Sequence, residues 1–331
     1  MVKTQVNIRN VEDLTRQNKT RFVTAASLFD GHDAAINIMR RILQSCGVEV
    51  IHLGHNRSVA EIVNAAIQED AHAIAISSYQ GGHVEYLKYM VDMLKEKGSP
   101  HIRIFAGGGG VIIPAEISEL QEYGVTRIYS PEDGQKMGLQ GMILDMIHLS
   151  AYDPGELAPN TLEAFINADH STLSSTITAL ENNTLPKGLR QKIIDHADQQ
   201  KKKIPVLGIT GTGGSGKSSL TDEVIRRFRL GHQDTLKIAI IAVDPTRRKT
   251  GGSLLGDRIR MNAINHDNIY MRSIATRDSV GEIPEFISDV IALCKLSDFD
   301  FIIVETPGIG QGDAAIVPLV DASMYVMTPE F

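Results

Sequence analysis

Three features of the sequence predict two α/β modules in tandem, each a doubly wound parallel sheet. From residue 21 to 150, short apolar strands alternate strictly with amphipathic helices. That rhythm stops over 151–203, where helical periodicity continues without strands. It resumes at 204 around the stretch Gly211-Thr212-Gly213-Gly214-Ser215-Gly216-Lys217-Ser218, set between a buried strand and an amphipathic helix. A chain of 331 residues is long enough for two such domains and a connector.

Composition is that of an ordinary globular protein, and a net charge of −7 argues against a nucleic-acid or anionic-membrane partner. Anion sites must then come from loops and helix ends, which suits small phosphorylated ligands. Cys46 and Cys294 are far apart in sequence and read as reduced structural thiols of a cytoplasmic protein. No apolar run is long enough to cross a bilayer, and the start has no signal-peptide pattern.

Residues 1–20 are weakly patterned and read as an N-terminal arm. A strand over 22–26 is followed by a helix over 34–46 with Ile38, Ile42 and Leu43 on one face. A strand over 48–53 precedes a helix to Gln68, capped by Ser58 with Glu61 completing a capping box. Strand 73–76 leads to helix 84–97, which ends at Gly98. Strand 102–106 leads to a helix opened by Pro114, and strand 125–129 to a last helix over 134–149. In such a fold ligands sit beyond the carboxyl ends of the strands, where strand order reverses.

The loops at those ends carry the chemistry. After the first strand comes Asp30-Gly31-His32-Asp33, after the third Ser77-Ser78-Tyr79-Gln80, and after the fourth Gly107-Gly108-Gly109-Gly110. A carboxylate two residues from a histidine can set its tautomer and raise its basicity, and a glycine floor lets a large flat ligand approach the backbone. Together Asp30-x-His32, Ser77-x-Tyr79 and a Gly-Gly pair resemble the cobalamin-binding domain of adenosylcobalamin-dependent mutases and methionine synthase, whose pattern is D-x-H-x-x-G, S-x-L, G-G. The resemblance implies a flavodoxin-like domain over 21–150. It also implies His32 as lower axial ligand to cobalt, Asp30 as its hydrogen-bond partner, and Ser77, with Tyr79 beside it, against the displaced nucleotide tail. Gly109 and Gly110, with Gly107 and Gly108 beside them, would wall the tail pocket. Ala35 stands where that family has glycine, and Tyr79 where it has leucine.

Over 151–203, Asp153-Pro154-Gly155 and Pro159-Asn160 are turn signals. Helices are predicted over 161–168, 171–181 and 189–200, as a helical linker. Lys201-Lys202-Lys203 reads as a solvated helix end.

The stretch from Gly211 to Ser218 fits G-x-x-x-x-G-K-[ST], a phosphate-binding loop. Its glycines let backbone N–H groups turn inward around phosphate oxygens at a helix N-terminus. Lys217 would reach the β/γ-phosphates and act in catalysis, and Ser218 would ligate Mg²⁺. Predicted strands over 237–243 and 300–304 end in Asp244 and Glu305, and Asp257 follows the first. These three carboxylates are candidates to hold Mg²⁺. Gly308-Ile309-Gly310 reads as a mobile switch segment.

Val243-Asp244-Pro245, Thr250-Gly251-Gly252-Ser253-x-Leu255-Gly256-Asp257-Arg258 and Glu305-Thr306-x-Gly308-x-Gly310-Gln311 resemble the metallochaperone GTPases that attend methylmalonyl-CoA mutase. That resemblance implies Gly214, Ser215, Gly216, Lys217, Ser218 and Ser219 on the phosphates. It places Ser218, Asp244, Asp257, Glu305, Thr306 and the Val243 carbonyl around Mg²⁺, with Arg260 approaching the nucleotide. A guanine-reading N-K-x-D motif is expected after the strand over 323–327. None precedes Phe331, so the chain reads as a fragment holding an incomplete GTPase domain over 204–331.

A cobalamin domain followed by such a GTPase resembles the fused isobutyryl-CoA mutases, in which both precede a mutase barrel. That implies a homodimeric isomerase that interconverts isobutyryl-CoA and n-butyryl-CoA with adenosylcobalamin. A built-in GTPase, with GTP and Mg²⁺, would gate cofactor loading. The acyl-CoA site would lie in a barrel outside this sequence. The alternatives are a stand-alone cobalamin-delivery GTPase chaperone serving a separate mutase, and a cobalamin-sensing regulator, which the acidic charge disfavours.

Overall fold

The β–α alternation folds as two parallel sheets. The computed structural model describes residues 19–246, 252–277, 283–308 and 312–328. Most of the expected N-terminal arm, and Thr250, Gly251, Ile309, Gly310 and Gln311 of the predicted motifs, lie outside the described residues. The chain divides into two units, one ending at Asp153 and one beginning at Pro154. The part of the 247–254 segment that is described groups with the first.

The first unit contains β1 (Arg21–Ser27), α1 (Ala34–Ser45), β2 (Glu49–Arg57), α2 (Val59–Gln68), β3 (Ala73–Ser77), α3 (His83–Glu96), β4 (Arg103–Gly107), α4 (Pro114–Tyr123), β5 (Arg127–Tyr129) and α5 (Pro131–Leu149). The sheet order is β5-β4-β3-β1-β2, with the short strand Ser253–Leu255 next to β2. The chain steps from β1 to β2 on one side and then to β3 on the other. The switch point therefore falls between β1 and β3, below the loops that begin at Asp30 and Ser78.

The predicted capping box forms at α2: the Ser58 Oγ accepts the Glu61 N–H, and the Ser58 N–H donates to Glu61 Oε2 at 2.9 Å. Two boundaries differ from the sequence reading by three residues or more. β2 runs on to Arg57 because it keeps pairing with β1 across register shifts, Ala25 with Gly54 and Ser27 with Arg57. α5 starts at Pro131 because Ser130 caps it in a second box with Asp133, and Gly138 at φ +66° then interrupts its geometry. Phe22, Val50, Ala75 and Phe105 of the sheet pack against Leu43 of α1 and Ile143 of α5. Removing such side chains from water is the main driving force for this layer.

The second unit opens with 3₁₀ turns, the second over Glu163–Phe165, where a helix over 161–168 was predicted. Two full helices follow, α6 (His170–Glu181) and α7 (Lys187–Asp198). Leu173, Ile177, Leu189 and Ile193 from these helices share one core with Ile241, Tyr270, Val290 and Leu293. The stretch read as a linker is thus a packed layer of the second unit.

The remaining elements are β6 (Val206–Gly211), α8 (Lys217–Gly231), β7 (Ile238–Asp244), β8 (Ser253–Leu255, described above), β9 (Ile269–Ala275), α9 (Ile287–Leu296), β10 (Phe301–Glu305), α10 (Gly312–Ala315) and β11 (Ala322–Val326). β11, β6, β10, β7 and β9 lie in that order, all parallel. Neither β9 nor α9 was predicted. Arg272 interrupts the apolar run of β9, yet it is 1% exposed because Glu181 of α6 meets it at 3.2 Å. Cys294 is buried, which pushes its thiol up to about 12, and Cys46 is part-buried. Both are free. No helix among the described residues is long and apolar enough to cross a membrane.

Candidate functional site

Two sites are built, one in each unit, both at the carboxyl ends of the strands. In the first, the chain turns out of β1 and buries Asp30, which is 2% exposed. Asp30 Oδ1 accepts the His32 backbone N–H at 2.9 Å and lies 2.8 Å from His32 Nδ1, while Oδ2 accepts the Tyr79 N–H at 2.6 Å. Burial alone would raise the Asp30 carboxyl. The N–H groups of Tyr79 and His32 and the His32 ring outweigh it and hold Asp30 below the usual carboxylate range. An ionised acceptor requires the hydrogen on Nδ1, which leaves the Nε2 lone pair directed away from Asp30. The His32 side chain is 76% exposed, with the Tyr79 ring 5.6 Å away between centroids.

Beneath these loops lies a cavity of about 330 Å³. Its walls come from α1 (Ala35, Met39), β3 (Ala75, Ser77), the Gly107–Gly109 run and, from a part of the sequence not expected at the site, β5 and α5 (Tyr129, Met142). Ala35, the departure from glycine, is accommodated in the wall. Gly110 does not line the cavity. Gly108 does, and a Cβ on it would stand 1.8 Å from the Ser78 carbonyl oxygen, whereas one on Gly110 would meet nothing within 4 Å. Ser77 Oγ is buried with no hydrogen-bond partner among the described residues. An apolar cavity with one unsatisfied hydroxyl, below an exposed imidazole of fixed tautomer, fits an elongated, mostly apolar group held from above by a metal.

In the second site, β6 passes through the phosphate loop into α8. Gly214 and Gly216 take φ of +81° and +91°, a region that side chains rarely adopt. Thr212 Oγ1 and Ser215 Oγ are buried without a partner among the described residues, as suits hydroxyls of an anion-binding loop. Lys217 is buried and donates from Nζ to the carbonyls of Gly211 and Thr212, at 3.1 and 3.0 Å. Ser219 is exposed on the first turn of α8, and Arg260 is exposed on a 3₁₀ turn, Arg258–Arg260.

The Ser218 hydroxyl lies 2.7 Å from Glu305 Oε1 and 3.1 Å from Asp257 Oδ1. Thr221, which the sequence reading missed, reaches Glu305 Oε2 at 2.8 Å from one helical turn beyond the loop. One hydroxyl hydrogen cannot satisfy both carboxylates. Burial first, and the Asp257 charge second, raise the Glu305 carboxyl above its ordinary value. This donor set of hydroxyl and carboxylate oxygens is of the kind that Mg²⁺ takes. Asp244 ends the neighbouring strand β7 and does not join the pair: among the described residues no three of His, Cys, Asp and Glu converge as a metal-holding group. Val243 lies buried just before it, and Thr306, buried after Glu305, bonds through its hydroxyl to Thr210 at 2.8 Å.

Comparison with known proteins follows the same division. Residues 20–133 match the B12 binding domain, and residues 173–331 match Methylmalonyl Co-A mutase-associated GTPase MeaB. A fused isobutyryl-CoA mutase of Cupriavidus metallidurans is 66% identical over 314 residues, which is 95% of this chain and 28% of that protein. Its counterpart in Geobacillus kaustophilus is 58% identical over 320 residues, 95% of this chain and 29% of the relative. The chain therefore spans less than a third of the relatives' length. Among solved structures, a cobalamin-binding protein of Desulfitobacterium hafniense superposes on 40% of this chain and 60% of its own, with TM-score 0.34 and 20% identity.

Proposed function

Because this chain unites a B12-binding domain and a MeaB-family GTPase domain, as the fused isobutyryl-CoA mutases do, we propose that it is the part of such an isomerase that holds cofactor and nucleotide. The reaction is the interconversion of isobutyryl-CoA and n-butyryl-CoA. The acyl-CoA site belongs to the portion of the relatives that this chain does not span. A homodimer and a cytoplasmic location are part of the same proposal, as are a cobalamin domain over 21–150 and a GTPase domain over 204–331, with the helices of 151–203 packed on the latter instead of forming a free connector.

One observation carries the reading: the exposed His32 ring, its Nδ1 tied to the buried Asp30, stands beside Tyr79 at a cavity into whose wall is set the buried Ser77 hydroxyl, without a partner among the described residues. Asp30 holds the imidazole in the tautomer that offers Nε2, and its charge makes that nitrogen a better donor. Tyr79 fixes Asp30 through its backbone and flanks the ring. Ser77 and the wall of Gly107, Gly108 and Gly109, with Gly110 beyond it, receive the nucleotide tail. Adenosylcobalamin, when bound, supplies the homolytic cobalt–carbon cleavage that a carbon-skeleton shift requires.

In the second unit Gly214, Ser215, Gly216, Lys217, Ser218 and Ser219 receive the GTP phosphates, with Arg260 at the rim. Ser218, Asp257 and Glu305 hold Mg²⁺, joined by Asp244, Thr306 and the Val243 carbonyl through its waters. Lys217 leaves the loop carbonyls for the β/γ-phosphates and offsets the charge that develops there. GTP and GDP then bias the state in which cofactor is loaded or retained.

The test is a visible absorption titration of the chain with adenosylcobalamin. Wild type should bind with the spectrum of a cobalt that keeps a lower nitrogen ligand. His32→Ala should shift to the base-off spectrum, and Asp30→Asn should bind about 10- to 100-fold more weakly. A His32→Ala variant that binds with the wild-type spectrum would sink the cobalamin reading.

A further inference from the structure

The loop that presents His32 begins with a residue whose conformation and exposure both run against its type. Phe29 has φ +63°, in the left-handed region that a bulky side chain rarely adopts. It is also 83% exposed, the largest value among the large apolar residues described. The conformation is held by a specific contact: the Phe29 N–H donates to Asn56 Oδ1 at 2.9 Å. Asn56, near the end of β2, is itself left-handed at φ +57°, a conformation that asparagine tolerates better than most residues.

The position of this contact suggests its use. The loop leaves β1, which lies between β3 and β2. On the β3 side it is pinned by the Tyr79 N–H on Asp30 Oδ2, and the Tyr79 ring stands 5.6 Å from His32. On the β2 side it is pinned by Asn56, whose Oδ1 accepts the N–H of the exposed Phe29. A large flat macrocycle coordinated through His32 must overlie both flanks. Each flank offers it an exposed aromatic side chain.

We propose that Phe29 is a contact residue for bound cobalamin, its ring packing on the apolar periphery of the macrocycle seated on His32. The left-handed backbone, braced by Asn56, serves to project it. This rests on the cobalamin reading above. It adds a seat for the ring that is separate from the cavity for the tail. In the free protein the arrangement exposes a phenyl ring at the cost of a strained backbone, and covering the ring offsets that cost.

The experiment uses the full chain with Phe29→Gly, which fits the left-handed backbone, and Phe29→Leu, which keeps apolar bulk. Each is titrated with adenosylcobalamin and with cobinamide, which retains the macrocycle and lacks the nucleotide tail. Phe29→Gly should weaken binding of both ligands about tenfold, the loss expected for one uncovered aromatic contact. The melting temperature of the free chain should rise or hold, and Phe29→Leu should stay within about threefold of wild type. The proposal is overturned if Phe29→Gly binds both ligands within twofold of wild type, which would leave the phenyl ring to a protein partner. It is equally overturned if the free variant melts lower in step with its affinity, which would make Phe29 a fold residue. If folded wild type binds no adenosylcobalamin, the cobalamin reading itself fails and this proposal with it. Wild-type binding with an indifferent Phe29→Gly refutes this proposal alone.

Discussion

Replacing Glu305 with glutamine should make the metal-free, nucleotide-free protein more stable while removing its use of a divalent cation. Glu305 is 2% exposed. Its carboxyl is raised first by burial and next by the Asp257 charge, against the pull of Ser218, Thr221 and Lys217. The Ser218 hydroxyl touches both carboxylates, at 2.7 and 3.1 Å, which puts the facing oxygens within about 6 Å. At an effective dielectric of about 20, two charges at that separation repel by about 3 kcal/mol. Glutamine preserves the contacts. Its carbonyl can accept from Ser218, and its amide can donate to Thr221 Oγ1, which still reaches the Lys217 carbonyl at 3.0 Å. What is lost is the charge-assisted part of two hydrogen bonds, about 1 kcal/mol each, and some attraction to Lys217. The net gain is at most about 1 kcal/mol, a rise in melting temperature of up to about 3 °C for a unit of this size.

The pH dependence has a definite sign. Glu305 binds its proton more tightly folded than unfolded, so wild-type stability falls as pH climbs from the unfolded carboxyl range through the raised folded value. The variant has no such loss. Its advantage should be full at pH 8 and close on acidification. Thermal melts in chelator from pH 5 to 8 measure this. A variant less stable than wild type at pH 8, or a gap that does not change with pH, would refute the reasoning. In samples without chelator, Mg²⁺ with GDP should raise the wild-type melting temperature and leave the variant unmoved.

Other substitutions separate fold from function. Gly108→Ala should cost about 3 kcal/mol or more, because its Cβ would fall 1.8 Å from the Ser78 carbonyl, while Gly110→Ala, with open space around it, should melt as wild type. Ser77→Ala removes a buried hydroxyl without a partner among the described residues, so the free chain should gain up to about 1 kcal/mol while cobalamin binds about tenfold more weakly. His52 is held down to about 4, by burial first and Arg40 second, with Thr24 Oγ1 2.9 Å from its Nδ1. Its folded value lies below the unfolded one, so its contribution, about 3 kcal/mol, is complete above pH 6.5 and lost as pH falls toward 4. Acid melts should show that decline, and His52→Gln should flatten it.

What the sequence determined by itself is whatever depends on near neighbours along the chain. Alternating apolar runs set the strands and helices of the first unit. Ser58 and Glu61 could be read as a cap because both partners lie within one turn. The phosphate loop was legible because its glycines and Lys217 fall within one short run, 211–217, and the Asp30–His32 pair because a single residue separates them. Tertiary structure decided what depends on distant partners. Arg272 hides a buried strand from any hydropathy reading, and its bonds to Glu181 and Thr178 on α6 help make that strand possible. The helices of 170–198 looked like a connector because their apolar faces meet residues far along the chain, among them Tyr270 and Leu293. The cavity has Tyr129 and Met142 in its wall, which only the return of β5 and α5 to the sheet brings there. Of the glycines after β4, the requirement for no side chain is plain at Gly108, since the atom that forbids one belongs to the β3 loop. Glu305, at the carboxyl end of β10, and Asp257, at the start of the Arg258–Arg260 turn, meet only at Ser218 on the first turn of α8. No local pattern reports a charge that another strand will place beside it.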